Sequence, residues 1–122
     1  MDLTVERLDN GIKKISLRGR MDIDGTKLIE LRLSEETSAE KSIVVVDLSE
    51  VEFMASVGIG ALVRSYKTLK LRGGRLVLLN PQRVVELVLD RTLVNTLIPI
   101  FYDLKTACEH VLQSMPGSDD PL

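Results

Sequence analysis

Apolar and polar positions along this chain follow two rhythms that change places several times. The opening run "LTVERLDNGIKKISLRG" alternates between the two classes, as strands with one buried face do. Asn10-Gly11 divides it and predicts a two-residue hairpin turn. Leu3, Val5 and Leu8 then face inward from the first strand, and Ile12, Ile15 and Leu17 from the second, with Lys13 and Lys14 outward. The next segment, "MDIDGTKLIELRLSEETSAEK", shifts to a helical spacing. Leu28, Leu31 and, one turn on, Glu35 trace the repeat, with Ile29 and Leu33 on the same inner face, and Asp24 or Thr26 as the cap.

"SIVVVDLS" is a β-branched apolar run that suits a strand covered on both faces. Beyond "FMASV", helical spacing returns in Ile59, Leu62, Val63, Tyr66 and Leu69, and Gly73-Gly74 ends that helix. "RLVLLN" predicts another buried strand, stopped by Pro81, which then occupies a favourable first helical position. That helix carries Val84, Val85, Leu87 and Val88. A short strand around Leu97–Phe101 is weakened by Pro99, which predicts a sheet edge. A closing helix sets Leu104, Ala107, Cys108, Val111 and Leu112 on one side.

Strands and helices alternating after a hairpin predict a single α/β domain over residues 1–113, with a mixed, mostly parallel sheet, one antiparallel edge and flanking helices. Residues 114–122, ending in "PGSDDPL", have little to bury and are expected to be a disordered tail.

Composition narrows the function. Aromatic residues make up 3% of the 122 residues and Trp is missing, which argues against stacking platforms for single-stranded nucleic acid. A pI near 5.4 argues against a phosphate-backbone binder, so no nucleic-acid partner is expected. Cys108 is the single cysteine, which leaves no internal disulfide and fits a reducing compartment. With no secretory start and no apolar run of membrane-spanning length, a cytoplasmic protein without membrane insertion is expected.

Candidate chemistry is sparse. His110 is the only histidine, so a histidine triad or a zinc site has too few members and no metal is expected. "GIGAL" lacks the third glycine of the dinucleotide fingerprint, and no phosphate loop exists, so no cofactor is expected. Asp22 and Asp24 suit capping and turn formation, or the polar rim of a binding surface that Asp47 can share. The loops Asp22–Gly25, Asp47–Ser56 and Asn80–Gln82 are expected to gather at the sheet edge where the strands end.

Ser56 is the pivotal residue. It stands between a strand and a helix, where its hydroxyl either caps the helix or sits exposed over unpaired N–H donors. In the second case a phosphate there is stabilised by the helix end and adds about −1.5 to −2 charge to an apolar patch of Met54, Ala55, Val57 and Ile59. No base or oxyanion constellation accompanies the serine, so enzymatic catalysis is not expected.

These residues also carry a resemblance. "VVVDLSEVEFMASVGIGALVRSYKTLKLRGGRLVLLN" resembles the central signature of STAS domains, above all bacterial anti-sigma factor antagonists. That family shows an apolar strand, Asp-Leu-Ser, then Phe/Tyr-Met-Asp-Ser-Ser/Thr-Gly-Leu-Gly, a helix, Gly-Gly and another strand. Here the motif reads Phe53-Met54-Ala55-Ser56-Val57-Gly58-Ile59-Gly60. Upstream, "LRGRMDID" is similar to the family's Leu-x-Gly-x-Leu-Asp, which sets Asp22 on its acidic position. The likeness runs over about residues 3–113, in order.

The resemblance implies a partner-switching regulator controlled by reversible phosphorylation, with Ser56 as the phosphoacceptor. It implies two partners: an anti-sigma factor that is also a serine kinase of the GHKL type, and a PP2C-type phosphatase. The partner-binding surface would comprise Asp22, Asp24, Met54, Ala55, Ser56, Val57, Gly58 and Ile59. Two positions depart from the motif, Ala55 for its aspartate and Val57 for its second hydroxyl. The alternatives are a non-phosphorylated STAS accessory subunit of a transporter of the lipid-trafficking ABC kind, and a small-ligand or nucleotide sensor.

Overall fold

The computed structural model describes residues 1–113, and the tail expected at 114–122 lies outside them. The strands are β1 (Asp2–Arg7), β2 (Lys13–Met21), β3 (Ile43–Met54), β4 (Arg75–Leu79) and β5 (Ile100–Phe101). The helices are α1 (Ile23–Glu36), α2 (Ser56–Leu71), α3 (Arg83–Arg91) and α4 (Leu104–Gln113), with a 3₁₀ turn at Val94–Thr96.

The sheet runs in chain order, β1-β2-β3-β4-β5. The β1–β2 pair is antiparallel and the others are parallel. This is the expected α/β architecture, with β5 at the edge and Pro99 just before it. Alternation along the central strand sorts the core onto two faces. Val44 and Val46 join the larger cluster with Ile15, Leu17, Ile29, Leu33 and Leu62, while Val45 joins a smaller one with Ile12, Val77, Ala107 and Val111. Helices α1 and α2 thus cover one face and α4 part of the other.

Several expectations are corrected. The hairpin connection is longer than two residues, because pairing stops at Arg7 opposite Lys13. Leu8 N–H bonds to the Ile12 carbonyl, and Gly11 takes φ +84 within that wider turn. Leu8 and Ile12 turn to the smaller cluster, away from Leu3 and Ile15. Lys13 does not point outward: adjacent strand residues face opposite ways, so Lys13 shares the covered face of Ile15 and Leu17 and is 6% exposed. Lys14 lies on the other face, 3.6 Å from Asp47.

Helix α1 is rotated from its expected register. Leu28 and Leu31 are each 73% exposed, and the inner stripe is Gly25, Ile29 and Leu33 with Thr26. Small residues in the first turn let that side approach the sheet closely, which an apolar count by itself overlooks. In α3, Val85 and Leu89 are buried while Val84 and Leu87 are exposed, and Gln82 rather than Pro81 leads into the helix. In α4, Leu112 faces out.

The largest difference is β3. The segment expected as a loop, Asp47–Ser56, is strand as far as Met54. Its second half runs past β4 and pairs with β2 alone, through register shifts between Ser16 and Arg18 and between Gly19 and Arg20. The buried residues there are Leu48, Val51 and Met54, three apart, because bulged residues break the period of two.

Candidate functional site

Where β2 and β3 end together, the chain turns twice into helices. Ala55 N–H donates to the Met21 carbonyl at 2.9 Å, which ties the start of α2 to the approach to α1. Asp22 caps α1: its Oδ1 accepts from Gly25 N–H at 2.8 Å. Asp24 lies exposed in the first turn and Thr26 is fully buried, so neither caps the helix.

Helix α2 begins at Ser56, with Ala55 as the capping residue in an extended conformation and no side-chain cap bond. Ser56 is therefore one residue past the position where a hydroxyl caps, and capping does not account for it. Its side chain is exposed and makes no hydrogen bond among the described residues. The free N–H groups of the first turn lie around it, with the positive end of the helix dipole.

The surface beside this hydroxyl is narrower than the sequence implied. Met54, Gly58 and Ile59 are buried, with Met54 at 2% and Ile59 at 9% exposure. They hold the helix end on the core and offer little contact area. Ala55 and Val57 are half-buried. Gly58 is needed for this seating: a Cβ there would lie 3.0 Å from Met21 Cβ and 3.2 Å from Met54 Cγ.

Asp22 and Ser56 are brought to one sheet end, flanking the bond from Ala55 to Met21. Asp47 is not part of that rim. It sits lower on the sheet, beside Lys14, with Oδ1 accepting from Ser49 N–H at 2.9 Å. The Asn80–Gln82 turn also stays lower, since Gln82 Nε2 donates to the Ser49 carbonyl at 2.9 Å.

Arg20 and Phe53 complete the site, and residue-by-residue reading passed over Arg20. The two residues are opposite each other across the β2–β3 pair, and the Arg20 guanidinium carbon lies 4.5 Å from the ring centroid. Its Nε is 3.6 Å from Asp22 Oδ2. Gly19, at φ +118, pairs with Val51, and the extra residue Glu52 on β3 then sets Arg20 opposite Phe53. The bulges set this register, so spacing in the sequence carries no signal for it.

Chemically, the arrangement offers an accessible alcohol in an electropositive setting, with no base bonded to it. It can accept a group delivered by another protein, and it lacks the partner that would make the serine a self-activated nucleophile. Among the described residues, no group of three or more His, Cys, Asp or Glu side chains is placed to hold a metal ion. No helix among them is long and apolar enough to cross a membrane.

Comparison with known proteins places the fold and the family. The anti-sigma F factor antagonist of Paenibacillus polymyxa is 23% identical over 103 residues, spanning 83% of this chain and 88% of that protein. A crystal structure of an anti-sigma factor antagonist from Mycobacterium paratuberculosis superposes with a TM-score of 0.80 at 25% identity, over 91% of this chain and 93% of that one. The phosphorylated form of the Bacillus cell fate determinant SpoIIAA gives a TM-score of 0.67 at 20% identity, over 90% and 99% of the two chains. The family model for the STAS domain matches residues 5–107, and the chain belongs to that family.

Proposed function

We propose that this protein is an anti-sigma factor antagonist-like regulator in a partner-switching pathway, acting by binding and controlled by reversible phosphorylation of Ser56. The observation that carries the reading is the state of that hydroxyl: exposed, unbonded and set in the first turn of α2. A kinase of the GHKL type, itself the anti-sigma factor, transfers the γ-phosphoryl of ATP to Ser56 Oγ. The Oγ–P bond forms, the bond to the β-phosphate oxygen breaks, ADP leaves, and the hydroxyl proton passes to the kinase. A PP2C-type phosphatase hydrolyses the ester and restores the binding form.

Physics supplies the switch. The phosphate brings about −1.5 to −2 charge and three acceptor oxygens to a spot a partner must cover. Local N–H donors stabilise it, and desolvating it beneath a docked partner is costly. The anti-sigma antagonist names among the relatives, one of them solved in phosphorylated form, support the same reading. Residues 22, 24 and 55–57 form the accessible part of the contact surface, over the buried support of Met54, Gly58 and Ile59.

Incubation with the cognate kinase and ATP, followed by intact-mass measurement, tests the assignment. Wild type should gain one phosphoryl group and Ser56→Ala none; an unchanged wild type rejects it. Co-purification should recover the anti-sigma factor with wild type and Ser56→Ala, and less of it with Ser56→Asp.

A further inference from the structure

We propose that Arg20 receives the phosphoryl group on Ser56, leaving Asp22 and the face of Phe53 to do so. This rests on the reading of Ser56 as phosphoacceptor and adds the residue that reads the mark within the same molecule.

The topology sets the two at the same end of the sheet. The hydrogen bond from Ala55 N–H to the Met21 carbonyl is 2.9 Å long, and Ser56 and Arg20 are the residues one step to either side of it. Arg20 leans toward the ends of the strands, because it reaches Asp22, the cap of α1. It is lightly held there. The ion pair is 3.6 Å between side chains that are 58% and 43% exposed, and Oδ1 of Asp22 is already committed to Gly25 N–H. Ring stacking supplies the other contact, at 4.5 Å.

A phosphate dianion is a better partner than a shared, solvated carboxylate. It carries more charge, and its oxygens match the planar fork of a guanidinium. With alanine at position 55, the residue next to the modified serine adds no carboxylate of its own, which leaves Asp22 as the competitor for the cation. Modification therefore does two things: it places a charge on the docking surface, and it strips Asp22 of its counter-ion and Phe53 of its cover. The partner loses the surface it recognises in more than one place.

The test introduces phosphoserine at position 56 by genetic-code expansion, so it needs no kinase. Titration of the ³¹P resonance is followed in wild type, Arg20→Gln, Arg20→Lys and Arg18→Gln. Arg18 is the control, an exposed arginine of the same strand that pairs with Glu50. The phosphate of the wild type should titrate lower than that of Arg20→Gln by about half a pH unit or more. Arg18→Gln should match wild type, and Arg20→Lys should fall between. On modification the Phe53 ring resonances should shift in wild type and stay in place in Arg20→Gln. Equal midpoints in wild type and Arg20→Gln overturn the proposal, as does an equal shift from Arg18→Gln, which would mark a general charge effect. Lack of phosphorylation by the kinase in the separate mass experiment would instead overturn the reading of Ser56.

Discussion

The ammonium of Lys13 is bonded twice to one residue of α1, to the Glu36 carboxylate at 2.9 Å and to the Glu36 main-chain carbonyl at 3.0 Å. Lys13 thereby closes the C-terminal end of a helix whose last turn has no basic residue of its own. The arrangement explains how a lysine is tolerated on a covered sheet face, where an unpaired charge would be costly.

That pairing predicts a pH dependence. The Lys13 hydrogen bond holds the Glu36 carboxyl below the usual carboxylate range. Its folded-state value is depressed, so the unfolded chain binds more protons between the two values and stability falls as pH drops through that window. Glu36→Gln should lower stability at neutral pH by about 1–2 kcal/mol. Thermal unfolding from pH 7 to below 4 should show the gap to wild type closing in acid. A constant gap would mean the ion pair contributes nothing.

Two glycines of the same motif predict opposite outcomes. At Gly60 an added Cβ meets only the far end of the Arg64 side chain, at 3.2 Å, a long chain that can give way while keeping its pairing with Glu30. Gly60→Ala should therefore stabilise α2 by about 0.5–1 kcal/mol, as the helix propensities of the two residues require. At Gly58 the added atom presses on Met21 and Met54. Gly58→Ala should destabilise by about 1–2 kcal/mol, since crowding outweighs the propensity gain. Denaturant unfolding of both variants checks the signs.

Ala55 sits where a helix calls for a side-chain acceptor and has none. Ala55→Asp should add about 1 kcal/mol by capping α2. It also places a carboxylate next to Ser56 in the chain. Calorimetry should show a raised Tm; an unchanged Tm would mean the first turn is already satisfied by water.

Tyr102, just beyond β5, donates to the Glu86 carboxylate of α3 and fastens the edge strand to that helix. This bond, more than burial, pushes the phenol up to about 12. Glu86→Gln should return it toward its ordinary value near 10. Absorbance titration of phenolate formation in the two proteins reads the difference directly, and identical curves would remove the bond from the account.

Much of the fold follows from local pattern. The order of strands and helices, the edge position of β5 and the single domain all derive from periodicity and from punctuation by Gly and Pro. The serine at the strand-to-helix junction was legible for the same reason, as its neighbours change period on either side. Burial was less legible where two registers satisfy the same apolar count: Leu28 and Leu31 belong to an acceptable stripe of α1, yet Gly25 seats the helix the other way.

By itself, the sequence determined which segments become strands and helices, and that an unaccompanied hydroxyl stands at the head of one of them. Only the tertiary structure decided that β3 runs on to Met54, that Lys13 turns inward and that Arg20 lies across Phe53. The reason is physical: bulges and strand register join residues far apart in the chain, and the energy that selects a register comes from packing the sheet against its helices. Local propensity is spent within a few residues, whereas the surroundings of Ser56 are assembled from two strands and two helix ends.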